Sequence, residues 1–284
     1  QGVPFDLEHW FTPKWIDTEP FDVVLKSGNS VALKKDIQLE NYSGTVLNLR
    51  VEREIRILEG AEALKKLGAQ PDNTVKIVSY QSRNRITNTG KNVWDKSSGM
   101  LSVWILGMFN PSPATTVVLP YNKGPESEMG ALVNDAYFGK VPADRLVVTD
   151  KAIFFSGDGQ CRSKIGLSPK RAKPVLGSYD ALSKVLTIVQ YSKREGAVDF
   201  VNSMWELQRE PFRGDVVNAY NDGPSKPGAK PLGPFYELES SSPAAALKPG
   251  GSLSHMHCTV HIVGSEAGLD KIAKAVLGVS LDEI

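Results

Sequence analysis

From position 47 to 57 the chain reads Leu-Asn-Leu-Arg-Val-Glu-Arg-Glu-Ile-Arg-Ile, with apolar side chains mainly on odd positions and polar ones on even. Successive side chains of a strand point to opposite faces, so this spacing predicts one buried and one wet face, as in an antiparallel sheet. The segments 23–25, 30–33, 46–57 and 74–80 are short, β-branched and broken by Gly, Asn, Asp or Pro, which predicts a β first third. Similar signals predict strands over 99–107, 115–119, 145–149, 151–156, 184–191, 233–240 and 254–263. A short helix is expected over 59–67, stopped by Gly68, and a C-terminal amphipathic helix over 266–277, ended by Gly278. With almost no strand–helix alternation, the fold class is all-β, a sandwich or layered antiparallel fold, in a single domain over 1–284. The Gly- and Pro-rich stretches 110–113, 157–174 and 221–234 read as site-forming loops.

Composition narrows the partners. The 33 Lys and Arg nearly cancel the 32 Asp and Glu, and no dense basic run carries interleaved aromatics, so nucleic acid is not an expected partner. No window reaches the roughly 18 apolar residues of a membrane span. Cys161 and Cys258 have neither paired nor metal-ligand spacing and read as small, partly buried side chains. Gln1 in place of Met suggests that an upstream segment was removed or not included.

Titratable groups concentrate late in the chain, in Phe235-Tyr236-Glu237-Leu238-Glu239 and in His255-Met256-His257-Cys258-Thr259-Val260-His261. Glu237 and Glu239 share one strand face, as do His255, His257 and His261. The turn at Pro249-Gly250 predicts a hairpin-like connection that would let carboxylates face imidazoles; the alternative is a solvated sheet face. Three of the 4 histidines lie in one segment, a pattern suited to proton transfer near neutral pH or to a divalent metal on His255 and His257. Leu247-Lys248-Pro249-Gly250-Gly251 leading to His255 and His257 is also similar to the first motif of the metal-binding cupins, although His261 and Ile262 stand where those carry a ligating Glu.

Four strings together resemble a bacterial branch of the galactose mutarotase-like superfamily: residues 3–10, Ile86-Thr87-Asn88-Thr89-Gly90, Trp104-Ile105-Leu106-Gly107-Met108-Phe109-Asn110-Pro111, and Tyr236 to Glu239 continuing to Leu247-Lys248-Pro249-Gly250. The resemblance implies a β-supersandwich of layered antiparallel sheets and a sugar or oligosaccharide ligand. It implies a strand-borne general base ahead of the Leu-x-Pro-Gly turn, here Glu239 with Glu237 second. The acid of the epimerase pattern is a His, but that position holds Leu106, so His255 or His257 would have to supply the proton from another strand. The resemblance also implies an N-terminal segment ahead of Gln1 and a periplasmic or secreted location. Strands missing there would leave a sheet edge that must be covered, paired or supplied by another chain.

Sugar recognition needs convergent hydrogen-bonding groups against an aromatic plane. The candidates are Asn110, Asp158, Arg162, Lys164, Tyr220 and Asn221, with Trp205 as stacking platform or core residue. Three functions stay open: an epimerase-type or other sugar-active enzyme, a His/Glu metal protein, and a non-catalytic sugar-binding module. Oligomeric state is not legible.

Overall fold

The alternation read from the sequence becomes two antiparallel sheets. The computed structural model describes residues 4, 9, 12–70, 73–226 and 228–284, so most of the 3–10 string lies outside the described residues. The strands are β1 (Asp22–Lys26), β2 (Ser30–Glu40), β3 (Val46–Leu58), β4 (Val75–Asn88), β5 (Trp104–Phe109), β6 (Thr115–Pro120), β7 (Leu146–Val148), β8 (Ala152–Ser156), β9 (Ser163–Leu167), β10 (Val175–Asp180), β11 (Val185–Tyr191), β12 (Val217–Asn221), β13 (Tyr236–Ser241) and β14 (Ser252–Gly264). Ten of them run in the order β1-β2-β3-β4-β14-β11-β10-β6-β8-β7, and four in the order β5-β13-β12-β9. The helices are α1 (Lys14–Asp17), α2 (Gly60–Lys66), α3 (Glu126–Met129) and α4 (Glu266–Leu277). Among the described residues no helix is long and apolar enough to cross a membrane.

The period of two in β14 builds a three-layer stack. Cys258, Val260 and Ile262 point outward to Leu269, Ile272, Ala273 and Leu277 of α4, forming one core. His255, His257 and Thr259 alternate with them and therefore point inward, toward the four-stranded sheet. A second core fills the space between the sheets, with Val117, Phe155, Leu176 and Val189 against Ile165, Val217, Ala219 and Leu238. A third, around Ile37, Leu49, Ile86, Trp94, Val103 and Leu247, closes one end. α4 matches its predicted bounds because its ends are marked chemically: Ser265 Oγ accepts from Gly268 N–H, and Gly278 adopts the left-handed conformation at φ +77°.

Several expectations change: the 157–174 stretch read as a loop contains β9; β10 and β12 fall where no strand is expected; and the strand expected over 99–107 begins only at Trp104. The alternation of β3 buries Leu47 and Leu49, yet Ile57 at its far end is 60% exposed, with Val78 and Tyr80 of β4 exposed beside it. The four-stranded sheet ends at β5, so this end of the larger sheet keeps an open apolar face. The connection through Pro249-Gly250 is not a hairpin either: β13 and β14 lie in different sheets. Its residues are held elsewhere, with Ala245 N–H bonded to Leu101 O and Ala244 N–H to Asp199 O, while Ala245 and Leu247 sink into the third core.

Candidate functional site

Register decides which side chains meet. In the four-stranded sheet Tyr220 pairs with Glu237 on one side and Lys164 on the other; Asn218 pairs with Glu239 and Gly166; Glu239 and Glu237 pair with Leu106 and Met108. All share one face, because each strand contributes every second residue. The opposite face, with Tyr236, Leu238, Ala219 and Ile165, belongs to the core between the sheets. The outer face thus gathers two carboxyls, a lysine, a phenol and an amide beside Trp104, Leu106 and Met108, which are all exposed.

Glu239 is completely buried, and its Oε2 accepts from Lys164 Nζ at 2.9 Å and from Trp104 Nε1 at 2.8 Å. The Lys164 ammonium lies over the Trp104 ring at 4.8 Å and the Tyr137 ring at 5.1 Å. Oε1 of Glu239 is buried with no protein donor among the described residues. Glu237, two residues back on the same face, hydrogen bonds to Glu239, and its pKa is pushed up to about 8 by burial first and by the Glu239 charge second. Glu237 therefore holds its proton at neutral pH, beside a Glu239 whose Oε1 has no other protein donor among the described residues. Two carboxyls sharing one proton avoid the repulsion of two charges in a dry site.

A loop lies against the Asn218 end of this face. Tyr137 OH donates to Asp215 Oδ2 at 2.6 Å, Asn134 Nδ2 donates to the same oxygen at 3.0 Å, and Asn218 Nδ2 donates to Tyr137 OH at 2.9 Å. Burial raises the Tyr137 pKa and the Asp215 pKa. This network fits only because position 166 has no side chain: a Cβ there would sit 2.2 Å from Asp215 Oδ2 and 2.5 Å from Asn218 Nδ2. Gly166→Ala is expected to cost about 1–3 kcal/mol by overpacking. Denaturant titration measures it, and an unchanged midpoint would mean that the loop yields freely.

Of the candidates read from sequence, Glu237, Glu239, Lys164, Arg162 and Tyr220 come together here. Asp158 and Asn221 do not face it: Asp158 forms a two-bond pair with Arg145 at 3.0 and 2.9 Å, and Asn221 braces the turn through Gly159 N–H and Cys161 O. Asn110 lines a separate cleft of about 480 Å³ between the sheets, with Phe109, Tyr236, Thr187 and His261. Trp205 is half-exposed in the loop whose Ser203 hydrogen bonds to Tyr137. Asn218 stands in a polar string suited to sugar recognition and Trp104 in a string that carries the family resemblance, but their contacts with Tyr137 and Glu239 follow only from the register; Tyr137 and Asp215 carry no signal in the sequence.

The histidines stand apart from the carboxylates. Ser240 Oγ, on the inner face of β13, lies 2.8 Å from both His255 Nε2 and His257 Nδ1. Ser192 Oγ lies 3.2 Å from His255 Nδ1. Among the described residues no three His, Cys, Asp or Glu side chains group to hold a metal ion. Burial lowers the His255 pKa to about 4, and burial followed by the neighbouring His255 and Arg53 charges lowers that of His257 to about 3. Both rings are neutral at pH 7, while in the unfolded chain they protonate near 6.5. Their contribution to stability is therefore complete above about 6.5 and is lost as pH falls toward 4 and then 3, at up to roughly 1.4 kcal/mol per pH unit per histidine. Denaturant midpoints from pH 7 to 4 measure this; a flat profile in that range, unchanged in His255→Gln/His257→Gln, would contradict it.

Fold and site define a layered antiparallel β protein with an acid–base cluster on the outer face of its smaller sheet. The chain belongs to a family of unknown function, DUF6786, whose model matches residues 1–284. No curated protein matches it by sequence. Among solved structures it is similar to the Slr1438 protein from Synechocystis (12% identity, TM-score 0.46, covering 87% of this chain and 66% of that one). It is also similar to a galactose mutarotase related enzyme from Lactobacillus acidophilus (9%, 0.40, 86% and 71%) and to a galactose mutarotase-like protein from Lactobacillus casei (10%, 0.43, 85% and 72%). The chain spans just under two thirds of the length of the first of these. Such low similarity transfers no activity.

Proposed function

We propose that this protein binds a carbohydrate on the outer face of the four-stranded sheet and exchanges protons with it through Glu239 and Glu237. The observation that carries the reading is the pair itself: one buried carboxylate anchored by Lys164 and Trp104, and one carboxyl that keeps its proton up to about pH 8. Exposed Leu106, Met108 and the edge of Trp104 beside them offer the apolar patch against which a sugar ring's C–H face packs.

The acid–base assignment follows from protonation. In anomer exchange, a base takes the proton of the anomeric hydroxyl while an acid protonates the ring oxygen, the bond from the anomeric carbon to that oxygen breaks, and the open aldehyde recloses on either side. Leu106, beside Glu239 in the register, has no proton to give. His255 and His257 are neutral, buried and on the other side of the sheet, bonded to Ser240. Glu237 is the group that carries a proton on the correct face. Once it donates to the ring oxygen, Glu239 Oε1 is free to accept from the anomeric hydroxyl, so one substrate relieves both ends of the pair.

Isothermal titration with a panel of mono- and disaccharides, with anomer exchange followed by NMR for each binder, tests this. Binding with accelerated exchange is the expected result. Binding without exchange leaves a recognition module, which Leu106 in place of an acid would favour, and no binding to any sugar removes the carbohydrate reading.

A further inference from the structure

We infer that the ligand of this face carries an anionic substituent, a carboxylate or a phosphate, and that Arg162 reads it. The inference rests on the carbohydrate reading and narrows its substrate class. Arg162 immediately precedes β9 and is two residues from Lys164, about 7 Å along the strand and on the same face. Its guanidinium carbon stacks 4.4 Å from the centre of the Phe138 ring, and Phe138 in turn packs edge-on against Tyr220 at 5.8 Å. Stacking occupies the flat face of the guanidinium and leaves its N–H edge available. That edge touches the Tyr220 hydroxyl, but Nε is buried with no hydrogen-bond partner among the described residues.

Arg162 is only partly buried, yet comparison with the fully buried Arg171 shows that this is not how the chain treats a structural arginine. Arg171, fully buried, donates from Nε, Nη1 and Nη2 to the carbonyls of Asn122, Gly124 and Gly130, in four bonds of 2.8–3.2 Å. Around Arg162 the acids are committed elsewhere. Asp158 belongs to Arg145. Asp222 accepts from Tyr220 OH at 2.7 Å and from Gly233 N–H at 2.8 Å. Glu239 is held by Lys164 and Trp104, and Glu237 carries a proton. A cation in an aromatic cradle, with a buried unpaired N–H and no carboxylate of its own, is completed by an anion from outside. A ring lying over Glu237 would direct an exocyclic acidic group toward it.

The test titrates galactose, galacturonate and galactose 6-phosphate, and the matching glucose series, into the full chain at low salt. The anionic sugars are expected to bind about 10- to 100-fold tighter than their neutral counterparts, the range for a charge-assisted hydrogen bond. Whichever of uronate and phosphate binds tighter identifies the source of the charge. In Arg162→Gln, shown to be folded by circular dichroism, the ratio of anionic to neutral affinity should fall to about one, and Arg162→Lys should recover part of it. A neutral sugar that binds as tightly as both acids overturns this inference alone, and so does an anion preference that survives Arg162→Gln. If no sugar of either charge binds, the carbohydrate reading falls and takes the inference with it.

Discussion

Glu239→Gln is expected to lower the rate of anomer exchange by about 10²- to 10⁴-fold, the usual worth of a positioned general base, while the chain still folds and binds sugar. Glu237→Gln should lose a similar factor for a different reason. It can still donate to Glu239 from its amide, so the bond is kept, but it has no proton to give up. The wild-type rate should also fall as pH rises through about 8, where Glu237 ionises. Stability separates the two variants. In the unfolded chain Glu237 loses its proton near 4.5, whereas in the native state it keeps it to about 8. Between those values the unfolded state binds fewer protons, so this group makes the protein progressively less stable as pH rises from about 4.5 to 8. Glu237→Gln removes that cost and should be the more stable protein at pH 8, by up to about 4 kcal/mol. Rate against pH and denaturant midpoint against pH, measured on the same samples, check both. A wild-type rate flat to pH 10 would sink the assignment of Glu237 as acid. Over pH 4.5 to 6.5 the buried histidines act in the opposite sense, so the comparison is best made above 6.5.

Lys164→Met is expected to destabilise the protein by about 3–5 kcal/mol, because it leaves the carboxylate of a completely buried Glu239 without its counter-charge. The side chains of the pair are 7% and 0% exposed, so little solvent screening softens the loss. The double variant Lys164→Met/Glu239→Gln removes both charges and should recover most of that stability. A cycle built from the four proteins isolates the coupling, and additive effects would show that the two groups do not depend on each other. A buried ion pair is weak evidence for stability by itself, since two apolar residues could fill the same space. Its presence under an exposed apolar patch is better explained by a requirement to hold a carboxylate at that point.

The strands legible in the sequence were those with one apolar face and one wet face, or with continuous apolar runs. β6, β8, β11 and β14 fall close to their predicted bounds, and so do α2 and α4 with their Gly stops. β10 (Val175–Asp180) falls where no strand was expected, and β9 and β12 were not legible: Ser163-Lys164-Ile165-Gly166-Leu167 lay inside a stretch read as a loop, and Val217-Asn218-Ala219-Tyr220-Asn221 gave only weak polar signals. β9 and β12 are buried on both faces, and one buried face is polar, carrying Lys164, Asn218 and Tyr220, so the contrast that marks a strand is missing. The local signal fails where Lys, Asn and Gly stand on a buried strand face.

The carboxyl pair was visible before any fold, since two residues of separation on one strand already place Glu237 and Glu239 side by side. Alternation along β14 likewise determined that its histidines would share a face. Which groups those side chains would meet was decided only by the tertiary structure. The segment after Ser242 crosses from one sheet to the other instead of turning back, because Ala245 and Leu247 bury in a separate core. That crossing puts Ser240 against the histidines and leaves the carboxyls to Lys164 and Trp104. Periodicity along a strand is set by backbone geometry and can be read locally; pairing between strands distant in sequence is set by the packing of whole layers.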